Sequence, residues 1–398
     1  MKNKIDLNKI KNASRQLSQK TEKEKNLFLQ NLSDILIHNK TVILKANERD
    51  IFNAKKNKLP AAFIQRLTVD WKGIEILQTK LINLQKLKSG VNSVLEEKLL
   101  KNGINLKKVC VPIGVILIIY ESRPEVTIDV AALCIKSGNA AILKGGSEAS
   151  YTNEVLYTCI LEAMNKSQIA KETITLTRDR NTVINLLKQN QDIDLVIARG
   201  GCEMVEKVRS QSKIPLLAHS AGGARIYVDK SANLSQAIDI LINAKISKPA
   251  ACNSLDTILI HKDISDSFIV KLLKRLDESG VTVLYKTTDW DTEFLDLTVS
   301  VKIVDNADEA IGFINKHTKK HSEGIIAEDQ GIIDKFTESI DVAAIFVNCS
   351  TRFHDGSEFG FGSEIGIATG KLHARGPVGL QELTTYKWEA YGNGQIRK

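Results

Sequence analysis

The stretch 109–144 most constrains the fold of this chain. Residues 109–120 (VCVPIGVILIIY) are almost continuously apolar and rich in β-branched side chains, which is typical of a strand buried on both faces. A helical stretch through 131–133 follows and stops at Gly138-Asn139, and residues 140–144 (AAILK) form a second strand-like run. Strand, helix and strand with short connections predict a βαβ unit, and hence a parallel sheet with a right-handed crossover.

The rest of the chain continues this alternation, so we predict an α/β protein. Residues 5–55 and the stretch after Pro60 show helical spacing, and helix-like runs separate several of the later strands. The Gly-rich C-terminal part contains aromatic residues that flexible linkers lack, which indicates an ordered loop region followed by a terminal strand. The further predicted strands are 192–198, 214–219, 224–229, 256–261, 281–285, 300–305, 323–329 and 343–348.

Composition and charge exclude several classes of protein. The six cysteines form no Cys-x-x-Cys pair, which argues against a zinc ribbon or a disulfide framework and is typical of a reducing compartment. Neither a signal-peptide core nor a run of about 18 apolar residues is present, so we expect a cytoplasmic protein without a membrane span. Residues 1–110 carry 23 Lys and Arg against 10 Asp and Glu, but without interleaved aromatics, which favours solvated helix faces over nucleic-acid binding.

Two copies of one short pattern point to an anion site. Residues 143–148 (LKGGSE) and 198–203 (ARGGCE) each follow a predicted strand and open a predicted helix. Each copy therefore gathers a cation, two glycines and backbone N–H groups around one point, which suits a phosphate or the ribose and pyrophosphate of a dinucleotide. Neither copy is a Walker A loop or the G-x-G-x-x-G fingerprint. The alternative, that Gly-Gly only permits a tight strand-to-helix turn, stays open.

Two cysteines compete for the role of nucleophile. Cys252 lies in a polar loop, 243–254 (NAKISKPAACNS), and loops on rigid scaffolds are where catalytic residues concentrate. Cys202 lies at a predicted helix start, where the pKa of a thiol can be lowered. The remaining cysteines fall in apolar strand and helix patterns or at a strand end, and they are Cys110, Cys134, Cys159 and Cys349.

Histidines and arginines give weaker signals. A planar guanidinium can grip a carboxylate or phosphate with two bonds, but a single arginine is more often part of a structural ion pair, and a lone histidine is more often structural. No histidine or carboxylate cluster predicts a metal site. The candidates for binding an anionic substrate or moving a proton are Arg123, Arg199, Arg352, Arg375, His219, His321, His354 and His373.

Five segments together resemble the γ-glutamyl phosphate reductase family, also called glutamate-5-semialdehyde dehydrogenases, a proline-biosynthesis branch of the aldehyde dehydrogenase superfamily. The resemblance is collinear from about residue 10 to the C-terminus, and its most specific parts are the cysteine loop and the C-terminal block. The segments are 111–149, 214–229, 243–254, 292–311 and 350–388.

The resemblance implies an aldehyde dehydrogenase-like α/β fold with a Rossmann-type cofactor domain, an α/β catalytic domain and a small β oligomerisation arm. It also implies an NADP-dependent oxidoreductase that uses NADPH to reduce L-glutamyl 5-phosphate to L-glutamate 5-semialdehyde, with phosphate release, through a thioester on Cys252. The implied regions are 1–102 and 113–223 for NADP binding, 224–355 for catalysis, and 103–112 and 372–398 for the arm.

Positions that match the family's motifs carry its expected roles. Cys252 matches the nucleophile, Glu293 matches the glutamate that holds the nicotinamide ribose, and Lys144 matches the lysine that reaches the adenosine ribose and, with NADP, its 2′-phosphate. The segment Ser122-Arg123-Pro124 falls where the superfamily has its oxyanion asparagine, and no asparagine is present in it. The expected cofactor-binding residues are Lys144, Gly145, Gly146, Ser147, Arg199, Gly200, Gly201 and Glu293. The oxyanion or substrate candidates are Ser122, Arg123, Asn253, Arg352 and His354.

The sequence departs from its relatives at several positions near these motifs. Residues 220–223 (SAGG) stand where oxidising relatives have ELGG, so the carboxylate that activates water is missing; a reductase should lack it, because hydrolysis would consume the thioester. Many family members have an acidic residue at the position of Ala221 and a Cys–His pair near Ala224-Arg225, and neither is present. Phe313-Ile314 and Thr318-Lys319 also differ from the usual residues.

Two alternative functions stay open. A related reductive enzyme would take a coenzyme A thioester instead of an acyl phosphate, and phosphate release would separate the two. A catalytically silent NADP-binding or scaffolding subunit is the second, and the joint presence of Cys252, Lys144 and Glu293 argues against it. The resemblance implies a homo-oligomer, and the lability of acyl phosphates suggests association with glutamate 5-kinase. We expect no nucleic-acid or membrane partner.

Overall fold

The computed structural model describes residues 5–218, 221–285, 287 and 289–397. The chain divides into two compact units. The first unit comprises Met1–Leu217, Gly360–Gly366 and Val378–Lys398, and the second comprises Ala218–Phe359 and Ile367–Pro377. The boundary that the sequence predicts, between residues 223 and 224, therefore lies a few residues after the one observed.

Thirteen α-helices and sixteen strands make up the described part of the chain. The helices are α1 Leu7–Ser18, α2 Glu22–His38, α3 Lys40–Lys56, α4 Ala61–Leu67, α5 Trp71–Lys86, α6 Val126–Lys136, α7 Ser150–Lys166, α8 Arg180–Leu186, α9 Cys202–Gln211, α10 Leu234–Ile246, α11 Lys262–Glu278, α12 Ala307–His317 and α13 Gln330–Ser339. The strands are β1 Val94–Leu99, β2 Asn105–Pro112, β3 Val115–Tyr120, β4 Ala140–Lys144, β5 Ile174–Leu176, β6 Leu195–Arg199, β7 Leu216–Ala218, β8 Ala224–Val228, β9 Leu255–His261, β10 Thr282–Leu284, β11 Thr298–Val304, β12 Ser322–Ile326, β13 Ala344–Val347, β14 Ile367–Ala368, β15 Gly376–Pro377 and β16 Thr384–Tyr391.

A five-stranded sheet in the order β5-β4-β3-β6-β7 is the centre of the first unit. Strand β3 pairs in parallel with both β4 and β6, and every residue of β3 is buried, as its continuous apolar sequence predicts. Helix α6 connects β3 to β4, so the predicted βαβ unit is confirmed. The strand order runs outward in opposite directions from β3 and β6, and in such sheets the crevice at the carboxyl ends of these two strands is where ligands bind.

One prediction about this region is wrong: residues 109–120 form two strands and not one. Strand β2 ends at Pro112, and β3 starts at Val115. The break lies at Gly114, whose φ of 132° is a backbone conformation that side chains disfavour, and a Cβ there would clash with the carboxylate of Asp194. That carboxylate accepts the Val115 N–H at 2.8 Å. The glycine therefore lets the chain leave one sheet and enter another.

Strand β2 belongs to a separate antiparallel sheet in the order β1-β2-β16. The predicted arm, 103–112 with 372–398, contains two of these strands, but it omits Val94–Leu99, which the sequence analysis assigned to the cofactor domain. Residues 372–377 group with the second unit and not with this sheet. The role of the sheet in oligomerisation remains a prediction.

The second unit is built on a six-stranded parallel sheet in the order β10-β11-β9-β8-β12-β13. One apolar cluster of buried residues in this unit includes Phe268, Leu272 and Leu276 of α11, which pack with the inner strands β8 and β9. All six predicted strands of this unit are confirmed. Among the described residues, no helix is both long and apolar enough to cross a lipid bilayer.

Candidate functional site

A cleft of about 510 Å³ lies at the carboxyl edge of the sheet in the first unit. Residues that follow β3, β4 and β6 line it, together with residues of α8 and α9. This is the place where the strand order reverses, and the volume is typical of a pocket for a small molecule or cofactor. Of the residues that the sequence predicts for cofactor binding, the lining includes Lys144, Gly146, Ser147 and Gly201.

The first glycine turn follows β4 directly. Lys144 ends the strand, and its Nζ donates a hydrogen bond to the Gly145 carbonyl oxygen at 2.7 Å. Burial lowers the pKa of Lys144, and the nearby carboxylate of Glu148 opposes this shift. A Cβ at Gly145 would lie 3.1 Å from the Tyr120 ring and would clash with the Asn153 amide, so only glycine fits this position. The turn thus presents a half-buried ammonium group to the cleft.

The second glycine turn follows β6 and begins α9. The Gly201 N–H donates to Oε2 of Glu121 at 2.9 Å, so a carboxylate lies where the sequence pattern predicts a phosphate. The Arg199 Nη1 donates to the Ile365 carbonyl oxygen at 2.6 Å, within the same unit. Gly200 has no room for a Cβ beside the Glu121 carboxylate. A phosphate bound to the Gly201 N–H would therefore have to displace Glu121.

Ser122 and Arg123 follow β3 at the same edge of the sheet. Ser122 has a φ of 50°, and its N–H and hydroxyl donate to Oε1 of Glu148 at 2.8 and 3.2 Å. Ser122 is one of the residues that the sequence analysis expects to stabilise an oxyanion, but here its N–H and hydroxyl hold the Glu148 carboxylate in place. Burial raises the pKa of the neighbouring Glu125, and the Arg123 charge opposes the increase.

Cys252 lies in a turn of the second unit, between α10 and β9. Its carbonyl oxygen accepts the Gly223 N–H at 2.6 Å. A Cβ at Gly222 would lie only 2.5 Å from the Cys252 Cβ, so the segment that replaces ELGG packs directly on the thiol turn. His219, which precedes this segment, and Ser220, its first residue, lie outside the described residues. The side chain of Cys252 is partly exposed.

The segment 350–354 lies beside this turn. Asn253 donates its Nδ2 to the carbonyl oxygens of His354 at 3.0 Å and Arg352 at 3.4 Å, and its own carbonyl oxygen accepts the Thr351 hydroxyl at 2.8 Å. The Arg352 Nε donates to the Ser247 Oγ at 3.1 Å. Burial lowers the pKa of Arg352, while the electrostatic influence of Cys252 raises it. The Arg352 guanidinium and the Cys252 thiol thus influence each other electrostatically, and a positive charge favours the thiolate.

His354 is a buried residue of this segment. Its Nδ1 and that of the buried His321 each lie 2.8 Å from the Ser322 hydroxyl. The His354 ring also stacks on Phe359 with ring centroids 5.6 Å apart. His354 thus links the segment beside the thiol to the start of β12.

Asp256, which sequence analysis did not single out, joins three segments of the second unit. Its Oδ1 lies 3.5 Å from the Lys245 Nζ and accepts the Phe294 N–H at 3.4 Å, and its Oδ2 lies 2.5 Å from where a Gly223 Cβ would be. Burial raises the pKa of Asp256 to about 6, although the Lys245 charge opposes the increase. The nearby Glu293 contributes to this increase in pKa. Because Asp256 accepts the Phe294 N–H, it also holds the backbone next to Glu293, the predicted ribose-binding glutamate.

The departure at Ala224-Arg225 places a cation in a buried ion pair. The Arg225 Nη1 lies 3.2 Å from Oε1 of Glu323, and both side chains are almost completely buried. The Glu323 carboxylate also accepts the Arg225 N–H at 3.0 Å and the Thr318 hydroxyl at 2.6 Å. Burial raises the pKa of Glu323 to about 7, and Arg225 opposes the increase. The pair therefore joins β8 to β12.

Within the described part of the chain, no group of histidine, cysteine and carboxylate side chains could hold a metal ion. Sequence reasoning also missed Glu121, Arg178 and Arg180, which line the cleft of the first unit. The signal that was available for Glu121 is its position directly after the predicted strand 109–120, because the carboxyl ends of parallel strands meet at one edge of the sheet. Arg178 and Arg180 follow β5, which the sequence analysis did not predict.

Comparison with known proteins identifies the family. A model of the aldehyde dehydrogenase family matches residues 9–294. The γ-glutamyl phosphate reductase of Caldanaerobacter subterraneus subsp. tengcongensis is 43% identical, over 99% of this chain and 99% of its own length. That of Petrotoga mobilis is 41% identical, over 98% of this chain and 97% of its own length.

Solved structures agree with this comparison. The crystal structure of γ-glutamyl phosphate reductase from Thermotoga maritima has a TM-score of 0.94 and 37% identity, and the match covers 98% of this chain and 99% of that one. An acetylating aldehyde dehydrogenase from Geobacillus thermoglucosidasius, with a TM-score of 0.74 and 17% identity over 98% of this chain and 96% of that one, shows the same fold. Aldehyde dehydrogenases use a nicotinamide cofactor, and the cleft of the first unit has the size and the basic residues to hold a nucleotide. The chain belongs to the aldehyde dehydrogenase family and, within it, to the γ-glutamyl phosphate reductases.

Proposed function

We propose that this chain reduces L-glutamyl 5-phosphate to L-glutamate 5-semialdehyde with NADPH and releases inorganic phosphate, as a step of proline biosynthesis. The observation that carries the proposal is the thiol turn at Cys252, with a guanidinium beside it and the glycine pair packed against it. The relatives that match over nearly the whole chain are named for this reduction.

Arg352 activates the nucleophile in this proposal. A thiolate is the reactive form of cysteine, and a nearby positive charge stabilises it relative to the thiol. The same guanidinium is suited to a phosphate, which it can grip with two hydrogen bonds as the group leaves. Asn253 keeps the Arg352 segment against the turn through its bonds to the backbone of residues 352 and 354.

The first step forms a thioester. The Cys252 sulfur attacks the acyl carbon of the substrate, the bond from that carbon to the phosphate oxygen breaks, and inorganic phosphate leaves with the electron pair. Acyl phosphates are good electrophiles, and backbone N–H groups of the turn, with that of Asn253 as the nearest candidate, stabilise the oxyanion.

Reduction then releases the aldehyde. The cofactor, when bound, supplies a hydride to the thioester carbon, and this is the chemistry that the protein itself lacks. The resulting oxyanion collapses to the carbonyl group of the aldehyde, the bond from carbon to sulfur breaks with its electron pair on sulfur, and the Cys252 thiolate is regenerated. The proton that the reaction consumes ends on the released phosphate. Each turnover thus consumes one NADPH and one proton and yields one aldehyde and one phosphate.

The segment Ala221-Gly222-Gly223 supports reduction over hydrolysis. Gly222 packs on Cys252, and residues 220–223 (SAGG) carry no acidic side chain where oxidising relatives have ELGG. Without a carboxylate in this segment to act as the base that activates water, a thioester on Cys252 persists until it is reduced. Lys144 and the glycine turns of the first unit hold the adenosine half of the cofactor, and Glu293 holds the nicotinamide ribose.

The test is turnover of enzymatically generated glutamyl 5-phosphate. We expect NADPH oxidation, semialdehyde and phosphate in equal amounts, and a loss of at least 10³-fold in Cys252→Ser, because a hydroxyl is a far weaker nucleophile. Cys202→Ser is the matched control, since Cys202 is the other exposed candidate, and it should keep turnover near that of the wild type. Near-normal turnover in Cys252→Ser with an inactive Cys202→Ser would refute the assignment.

Phosphate measurement also separates the alternatives. Activity with a coenzyme A thioester, without phosphate release from glutamyl 5-phosphate, would favour the hypothesis that the chain is an acyl-CoA reductase.

We further propose that the chain forms a homo-oligomer through the β1-β2-β16 sheet. We also propose that it associates with glutamate 5-kinase, because the substrate is labile. Sedimentation of the pure chain and co-purification with the kinase test these two proposals separately.

A further inference from the structure

The segment 289–294 carries Glu293, the residue that the proposed function places at the nicotinamide ribose. It lies between β10 and β11 and forms neither helix nor strand. A segment without a ladder of backbone hydrogen bonds depends for its shape on side chains and on the groups that pack against it. The contacts around 289–294 therefore decide where the Glu293 carboxylate lies.

Arg225 of β8 anchors this segment to the sheet of the second unit. Its Nη2 donates a hydrogen bond to the Trp290 carbonyl oxygen at 3.2 Å, while its Nη1 lies 3.2 Å from Oε1 of Glu323 on β12. The Arg225 and Glu323 side chains are 3% and 0% exposed, so water competes little for the guanidinium. The guanidinium fork can serve two acceptors at once, and here it joins an irregular segment to two strands.

Helix α12 and the residues after it make a second set of contacts with the segment. The Trp290 ring packs edge-on against Phe313, with ring centroids 5.2 Å apart. Asp291 accepts a hydrogen bond from the Lys319 Nζ at 2.8 Å, which lowers the pKa of this carboxyl, and its other oxygen lies 3.4 Å from the His317 Nδ1. Because Asp291 is exposed, these ion pairs add little, and the buried guanidinium is the stronger restraint.

Asp256 holds the other end of the segment. Its Oδ1 accepts the Phe294 N–H at 3.4 Å. Glu293 thus lies between a backbone carbonyl that Arg225 holds and a backbone N–H that Asp256 holds. Because both anchors restrain the backbone, they also restrain the direction of the Glu293 side chain.

We propose that Arg225 is a positioning residue, which anchors 289–294 to the sheet and so holds the Glu293 carboxylate in place for the nicotinamide ribose. This inference rests on the proposed function, in which Glu293 holds that ribose. A displacement of a reacting group by about 1 Å can cost a factor of about 100 in rate. Loss of the Arg225 anchor should therefore lower kcat and leave the binding of the adenosine half of the cofactor unchanged.

The first experiment follows the segment itself, without cofactor. Trp290 becomes the only tryptophan in a Trp71→Phe/Trp388→Phe background, and its fluorescence then reports on the segment. Arg225→Lys keeps a cation beside the Glu323 carboxylate, so no buried charge is left unpaired, but a single ammonium cannot replace the fork. Loss of the bond to the Trp290 carbonyl should increase acrylamide quenching of this fluorescence by about twofold.

Arg275→Lys is the matched control, because it makes the same exchange at an exposed arginine. Arg275 of α11 lies 3.7 Å from Asp239 of α10. The control should leave both the quenching and kcat as in the parent protein. An equal increase in quenching in Arg275→Lys, or unchanged quenching in Arg225→Lys, would overturn the anchoring role of Arg225.

The second experiment asks whether Arg225 acts through Glu293. We measure kcat with glutamyl 5-phosphate and NADPH for Arg225→Lys, Glu293→Gln and the double variant. Arg225→Lys should lower kcat about tenfold alone and have almost no further effect in the Glu293→Gln background, because residues that act through one another have non-additive effects. Calorimetric titration with adenosine 2′,5′-bisphosphate, which lacks the nicotinamide half, should give the same dissociation constant for every variant.

The outcomes separate positioning from general support of the fold. An unchanged kcat in Arg225→Lys, a loss of equal size in both backgrounds, or weaker binding of the bisphosphate would overturn the positioning role. A wild-type kcat in Glu293→Gln would refute the ribose role of Glu293 itself, whatever the quenching shows. Failure of the proposed function is thus distinguishable from failure of this inference.

Discussion

Gly222 packs so closely on the thiol turn that one added methyl group should disable catalysis. A Cβ at Gly222 would lie 2.5 Å from the Cβ of Cys252 and 2.6 Å from its Cα. Carbon atoms in favourable contact lie about 3.5–4.0 Å apart, so Gly222→Ala must move the backbone of Cys252 by about 1 Å. A displacement of about 1 Å can cost a factor of about 100 in rate. We expect kcat to fall by about that factor.

The assay follows NADPH oxidation with glutamyl 5-phosphate and, in parallel, the fold of each variant. Gly312→Ala is the matched control, because a Cβ at Gly312 in α12 has no atom within 4 Å. Alanine favours a helix by about 1 kcal/mol over glycine, so this control should keep kcat and be at least as stable as the wild type. Gly222→Ala should lose about 1–3 kcal/mol of unfolding free energy through overpacking.

Four results test this prediction. Urea unfolding must show that Gly222→Ala is folded at the assay temperature, and alkylation must show that its thiol at Cys252 reacts at an altered rate. A folded Gly222→Ala variant with kcat within twofold of the wild type would refute the packing argument. A loss of kcat in Gly312→Ala of equal size would refute it too, since the effect would then not depend on contact with the thiol turn.

Two further predictions concern the second unit. Burial raises the pKa of Asp256 to about 6, above the unfolded value of about 3.8. Because the carboxyl group therefore loses its proton more readily in the unfolded chain, ionisation of Asp256 opposes folding. The free energy of unfolding should fall by about 3 kcal/mol as the pH rises from about 4 to above 6. Asp256→Asn should flatten this slope in urea titrations, and an unchanged slope would contradict the assignment. Arg352→Gln should raise the pKa of the Cys252 thiol, because it removes a positive charge that stabilises the thiolate. Alkylation of Cys252 by iodoacetamide at pH 7 should then slow about tenfold for each unit by which this pKa rises, and mass spectrometry of the Cys252 peptide measures the rate. Arg375→Gln, whose guanidinium pairs with Asp341, is the control, and equal slowing in both variants would exclude a specific role for Arg352.

Much of the fold could be predicted from short stretches of sequence. The apolar β-branched runs at 115–120 and 140–144 with a helical run between them predict parallel strands, because burial on both faces and a short crossover leave few other arrangements. The prediction of one strand failed at Pro112 and Gly114, because the apolar β-branched residues on both sides of them made 109–120 look like a single run. A glycine in an apolar run only signals a change of sheet once its φ and its contact with Asp194 are known.

The candidate site was predicted in part. The glycine turns after β4 and β6, and a cysteine in a polar loop, follow from local sequence because turns depend on residues next to each other. The contacts around them do not. Arg352 lies 100 positions from Cys252 in the chain, and Glu121 lies 80 positions from Gly201. The apolar pattern that brings such segments together says nothing about which polar side chains then meet.

The sequence by itself therefore determined the layers of this protein and its family, and it proposed Cys252 as the candidate nucleophile. Tertiary structure alone decided that a carboxylate accepts the Gly201 N–H, that Asp256 is buried against Lys245, and that Arg225 pairs with Glu323. The physical reason is the range of the forces involved. Strand and turn preferences act over a few neighbouring residues, whereas the charge and solvation of a side chain depend on every segment that packs around it.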